Sequence, residues 1–126
     1  MVPTERALDL VMQVLSRRTF DYSDEKRCQV EIAEHFESLS LNVEREHNFG
    51  TGIGVCDFFF PQSGIVVETK AYKSWSKKQV YRQCERYCKQ PSVTGLILAT
   101  GKAQGLPAFI HGKPVRVYQL GRSALQ

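Results

Sequence analysis

Val55-Cys56-Asp57-Phe58-Phe59-Phe60, then Pro61-Gln62-Ser63-Gly64, then Ile65-Val66-Val67-Glu68-Thr69-Lys70 is the stretch on which the fold turns. Both arms are rich in β-branched and aromatic residues. The four residues between them include Pro, Ser and Gly, which predicts a β-hairpin. A symmetric loop pairs Phe60 with Ile65 and so sets Asp57 opposite Glu68. Their Cβ atoms would then lie about 5 Å apart, where like charges repel. A cation between them removes the repulsion, and a divalent metal that prefers oxygen ligands, such as Mg²⁺, suits two carboxylates. Lys70 follows Glu68 by two residues and shares its strand face. There its ammonium could hold a water or stabilise charge developing on a phosphate.

Working outward, Thr4 to about Arg17 reads as a helix: Leu8, Val11, Met12 and Leu15 repeat at helical spacing, and Thr4 can cap it. Residues 17–23 read as a connector. A second helix is expected from about Asp24 to Leu39, with Cys28, Ile32, Phe36 and Leu39 as its apolar stripe. Leu41 to Phe49 reads as a strand, and Gly50, Thr51 and Gly52 as a loop. Trp75 to Gln90 is expected as a third helix, capped by Ser74 and closed by Pro91. Val93 to Thr100 is a continuous apolar run, expected of a strand buried on both faces. Residues 101–113 read as irregular with a short helix, and Val115 to Leu120 as a last strand. The resulting order, α, α, β, β, β, α, β, β, predicts an α/β fold with a mixed sheet flanked by helices.

The hairpin residues resemble a known motif. Asp57 followed by Glu68-x-Lys70 is similar to the PD-(D/E)xK nuclease superfamily, the restriction-endonuclease-like fold. Its αβββαβ core would cover residues 24–100, leaving an extra N-terminal helix with its connector (1–23) and a C-terminal loop and strand (101–126) around a single nuclease domain. The resemblance implies Mg²⁺-dependent hydrolysis of phosphodiester bonds, with Mn²⁺ able to substitute. Asp57, Glu68 and the main-chain carbonyl of Thr69 would hold the metal, and Lys70 would assist the attacking water. Cys56 stands where the superfamily often has Pro, and Thr69 where it usually has an apolar residue.

Members often add an acidic ligand from the helix before the first strand. Glu25 shares a helix face with Cys28, Ile32 and Phe36, and Glu25-Lys26-Arg27-Cys28-Gln29 resembles the virus-type replication–repair nuclease branch. Glu31, about 100° off the stripe, is the reserve. Glu25 could instead simply complement the helix dipole. In the third helix, Gln83-Cys84-Glu85-Arg86-Tyr87 matches the QxxxY motif of helicase-associated and phage exonuclease branches. Gln83 would then lie near the metal, with Gln79 on the same face. The plainer reading is an amphipathic surface helix with Tyr87 in the core. Lys78, Arg82, Arg86 and Lys89 line the other side. With Lys73 and Lys77 they would track a phosphate backbone, with Tyr87 among the nucleic-acid contacts, or would be an ordinary solvated face. Trp75 would pack under this helix or stack on a base.

The remaining features set bounds. The 126 residues suffice for one domain, and the net charge of +4 suits a polyanionic partner such as DNA, duplex or branched. No stretch approaches the roughly 20 apolar residues of a membrane span, and Glu5, Arg6 and Asp9 interrupt any signal-peptide core. A cytoplasmic protein is expected, in the host cytoplasm if viral. Cys28, Cys56, Cys84 and Cys88 lack metal-ligand spacing and read as buried thiols rather than iron–sulfur ligands. His35, His47 and His111 read as structural. Compact size suits a structure-selective or weakly sequence-dependent enzyme of phage or mobile-element repair, recombination or defence. A homodimer would serve double-strand cutting, with the first helix as interface or else as cover for its own sheet. The rival readings are a non-catalytic nucleic-acid-binding module and a protein-interaction domain.

Overall fold

The computed structural model describes residues 3–71, 76–102 and 104–121. Their elements are α1 (Thr4–Ser16), α2 (Glu25–Ser38), β1 (Glu44–Asn48), β2 (Val55–Phe60), β3 (Ile65–Lys70), α3 (Lys77–Cys88), β4 (Gly95–Thr100), β5 (Phe109–Ile110) and β6 (Lys113–Gln119). The six strands form one mixed sheet in the order β1-β2-β3-β4-β6-β5. β1, β2 and β3 are antiparallel neighbours, β3, β4 and β6 run parallel, and β5 returns antiparallel on β6.

Alternation along the strands divides the core in two. Phe58, Phe60, Ile65, Val67, Ile97 and Ala99 pack with Leu8, Leu15, Cys28, Ile32 and Phe36 of α1 and α2. Val66, Leu96, Leu98, Cys56 and Phe59 pack with Val80, Cys84, Tyr87 and Cys88 of α3 on the other side. The helices therefore sandwich the sheet. The four cysteines are buried free thiols split between the two faces, so they cannot converge on one cluster. Burial pushes the thiols of Cys28, Cys56 and Cys84 up to about 12 and that of Cys88 to about 11, which leaves them inert.

The apolar stripe of α1 covers its own sheet, with Leu8 and Leu15 fully buried. Of the two roles expected for this stripe, the structure shows the covering of its own sheet. Gly64 closes the β2–β3 turn at φ 82°, and its N–H donates to Phe60 O at 2.7 Å. A side chain there would meet Ser92 O at 2.7 Å, so both conformation and space demand glycine.

Several boundaries differ from the sequence expectation. Pro3 precedes α1 as its cap residue, and Thr4 is already helical. Asp24 does cap α2, accepting from the Lys26 N–H, but the helix stops at Ser38; Leu39 is 40 % exposed and leaves the stripe. Ser40 then takes φ 54° and the Leu41 N–H folds back onto Phe36 O, which delays β1 until Glu44. Ser76 caps α3 by accepting from the Gln79 N–H, and the helix begins at Lys77 and ends at Cys88. Ser74, Trp75 and Lys73, which carried expectations of a cap, stacking and phosphate contact, lie outside the described residues. Instead of a short helix, the region before β6 holds a small hairpin. His111 and Gly112 both take positive φ (50° and 73°), as a two-residue hairpin turn requires.

Candidate functional site

The β2–β3 register is the expected one. Phe60 faces Ile65, Phe59 faces Val66 and Phe58 faces Val67, and the regular ladder ends there. Beyond it, side chains take over. The Asp57 N–H donates to Glu68 Oε1 at 3.1 Å, and the Thr69 N–H donates to Asp57 Oδ2 at 2.7 Å. Each strand's main chain is held by the other strand's carboxylate. On the outer side, β1 pairs with β2 on either side of Asp57, but the Glu46–Asp57 pair is missing and Glu46 sits at φ 56°. Cys56 and Phe58, two residues apart, consequently join opposite core clusters, which strict alternation forbids. The strand is thus locally turned at Asp57.

Glu68 is 2 % exposed and Lys70 8 % exposed. Lys70 Nζ donates to Glu68 Oε2 at 3.2 Å. Both acids are shifted upward. Burial raises the Glu68 carboxyl most and the Asp57 charge adds to it, while Lys70 opposes both. Burial also dominates the rise at Asp57, against the Thr69 N–H and Lys70, with Glu25 adding a smaller push in the same direction. The ionised pair is therefore uncomfortable without further positive charge.

These shifts fix a sign. Between the ordinary carboxylate values of 3.8 and 4.5 and the raised folded-state values, the folded chain binds more protons than the unfolded one. Stability then falls as pH rises. In EDTA, the melting temperature should climb as the pH is lowered from about 8 to about 5. Below that it should drop, because Glu31 and Asp21 have lowered values and lose their bonds on protonation. Glu68→Gln should flatten the upper limb; a melting temperature that instead rises toward alkaline pH would contradict this electrostatic account.

Glu25 and Gln29 bring α2 to the same place. Gln29 Nε2 donates to Asp57 Oδ1 at 3.2 Å, and Glu25 Oε1 accepts the Ala71 N–H at 3.2 Å, just past Lys70. Gln29 had no role assigned from sequence. The available signal was its i+4 spacing from Glu25, which puts both on one helix face. With Thr69 on one oxygen and Gln29 on the other, the Asp57 carboxylate plane is fixed. Removing such an outer support commonly costs about 10-fold in metal affinity. Gln29→Ala should raise the Mg²⁺ midpoint of any Mg²⁺-dependent activity by that order, and an unmoved midpoint would deny Gln29 the supporting role.

Glu31 goes elsewhere. Its carboxylate accepts the Asp21 N–H at 2.8 Å and Arg27 Nε at 2.9 Å, which hold its value low and pin the α1–α2 connector. This employment displaces it as the reserve ligand. His35 is likewise structural, bonded at 2.7 Å to Val14 O between α1 and α2.

On the α3 side, an open-mouthed cavity of about 390 Å³ is lined by Lys70, Gln79, Val80, Arg82, Gln83 and Arg86. Gln83 Nε2 donates to Tyr87 Oη at 3.1 Å, and Tyr87 Oη donates to Val55 O at 2.8 Å. Tyr87 is fully buried, which corrects its expected place among nucleic-acid contacts: it locks α3 to β2 instead. Arg86 Nε also reaches Ile53 O at 3.2 Å. Lys78, Arg82 and Arg86 are exposed, and the two arginines line the cavity together with Lys70. Thr69 is buried, and its Oγ1 has no hydrogen-bond partner.

Among the described residues no group of three or more His, Cys, Asp or Glu side chains is placed to hold a metal ion. Asp57 and Glu68 lie side by side, and Glu25 accepts the Ala71 N–H through one of its oxygens. No described helix is long and apolar enough to cross a membrane. No protein-family model, curated protein or solved structure matches the chain.

Proposed function

We propose that this chain is a Mg²⁺-dependent deoxyribonuclease of the PD-(D/E)xK type, with Asp57, Glu68 and Lys70 at its centre. The observation that carries the reading is the cross-held pair. Two carboxylates on adjacent strands, Glu68 buried and Asp57 half-buried, both driven toward protonation, share their surroundings with one buried lysine. Such a pair gains most from a divalent cation. Mg²⁺ usually takes one or two protein carboxylates and completes its shell with water and substrate phosphate, so a two-carboxylate site fits it. Mg²⁺ held there would supply a water of lowered pKa and positive charge against the phosphate.

The chain's own residues supply the rest. Asp57 and Glu68 would hold the cation with the Thr69 carbonyl. Lys70, which lines the cavity, would orient the attacking water. Arg82 and Arg86 draw the phosphate backbone to the cavity mouth, and Gln83, steadied by Tyr87, lines the approach. The succession α2, β1, β2, β3, α3, β4 agrees with the αβββαβ core of that superfamily. The test is cleavage of labelled DNA with Mg²⁺ or Mn²⁺. Activity abolished by EDTA and by Lys70→Ala supports the reading, while folded wild type that binds DNA but never cuts it defeats it.

One observation favours a second reading, a non-catalytic nucleic-acid-binding module: one Glu25 oxygen is engaged by the Ala71 N–H. That reading expects salt-sensitive DNA binding and no cation uptake by calorimetry.

A further inference from the structure

We propose that the site acts on a single unpaired DNA strand, displaced, frayed or bulged, and not on the backbone of an intact duplex. The inference rests on the nuclease reading and names its substrate class.

It follows from access. Glu68 is 2 % exposed and Lys70 8 % exposed, beside the half-buried Asp57, so a phosphate brought to all three must enter below the outer surface. The cavity on the α3 side shares Lys70 with the site and is otherwise lined by Gln79, Val80, Arg82, Gln83 and Arg86. At about 390 Å³ it lies at the low end of the roughly 300–1,000 Å³ that encloses one small organic molecule. One nucleotide is in that class; a turn of duplex is not. In a closed duplex the phosphates lie on two coupled, stiff strands. For one phosphate to descend past Arg82 to Lys70, its nucleotide must part from its partner and its stacked neighbours. Unpairing costs a few kcal/mol, and least where the base is already unpaired. A basic cavity lined by Lys70, Arg82 and Arg86 suits a strand held chiefly through its phosphates.

The test uses three DNAs of one sequence, each closed by hairpin loops at both ends. One is fully paired in its stem, one has an internal bubble, and one carries a flap. Rates are measured with Mg²⁺, and affinity is measured separately by anisotropy with the Asp57→Asn protein. Cuts should map to the bubble and the flap, about 100-fold faster than in the paired stem, which corresponds to an unpairing cost of about 2.7 kcal/mol. Arg82→Ala should weaken capture of all three. Cutting of the paired stem within about threefold of the bubble, at comparable affinity, overturns the inference and leaves the nuclease reading intact. Absence of cutting in all three, the loops included, overturns the nuclease reading and takes this inference with it.

Discussion

Glu68→Gln should abolish Mg²⁺-dependent cleavage, by about 10³-fold or more, in a protein that remains folded. Removing one of two carboxylate ligands forfeits several kcal/mol of charge stabilisation, and each 1.36 kcal/mol is a factor of ten. The folded-state consequence runs the other way. Truncating one member of a buried ion pair is ordinarily harmful, because it strands the other charge. Here the largest influences on Glu68 are burial and the neighbouring Asp57, and both oppose its ionised form; Lys70 ranks below them. Lys70 also keeps Asp57 as an electrostatic partner when Glu68 is neutralised. Above neutral pH the variant should therefore melt no lower than wild type in EDTA, while cutting nothing. Plasmid or oligonucleotide cleavage and thermal melting on the same preparation decide it. Activity within tenfold of wild type would remove Glu68 from the chemistry.

The second large effect concerns stability. Tyr87→Ala should cost about 3–5 kcal/mol, as truncation of a buried aromatic commonly does. That is a large part of the 5–15 kcal/mol that holds a typical domain together. Tyr87 is fully buried under α3, packs with Phe49, and spans from Gln83 to the Val55 carbonyl. Tyr87→Phe keeps the ring and loses only the hydroxyl, at about 1 kcal/mol, since the lost bonds are only part-buried. Neither variant should change DNA affinity in protein that is still folded. Denaturant titration gives the stabilities and anisotropy the affinities. A Tyr87→Phe protein of normal stability but weakened DNA binding would return this residue to the interface.

The hairpin was readable because two independent local rules, β-rich arms and a turn sequence between them, agreed. The Pro-Gln-Ser-Gly turn fixed which residues face each other, so the pairs from Phe60–Ile65 to Phe58–Val67 followed by counting and brought Asp57 near Glu68. The turn of the strand at Asp57 and its bonds to the opposite main chain did not follow. The continuous apolar run of β4 was readable for a similar reason: a strand with helices on both sides has no polar face. Helix boundaries were less so. The α2 stripe stops at Phe36 because Ser40 turns the chain at a positive φ, which no apolar spacing encodes. The His111-Gly112 hairpin was not legible because a two-residue turn needs two positive φ values and only Gly112 signals one plainly.

The sequence by itself determined the pairing of two acidic strands, the lysine beside them and the two-sided character of α3, because each depends on residues close in the chain or on a fixed periodicity. Only the tertiary structure decided what the α2 side chains do. Gln29 reaches Asp57 across 28 residues and Glu25 reaches Ala71 across 46, while Glu31 on the same helix turns to the connector. Helical spacing gives the direction in which a side chain leaves its helix; which donor or acceptor waits there depends on how far that helix is slid and rotated over the sheet. That placement is set by the packing of Cys28, Ile32 and Phe36 against Phe58, Phe60 and Val67, a many-body fit that no local pattern contains.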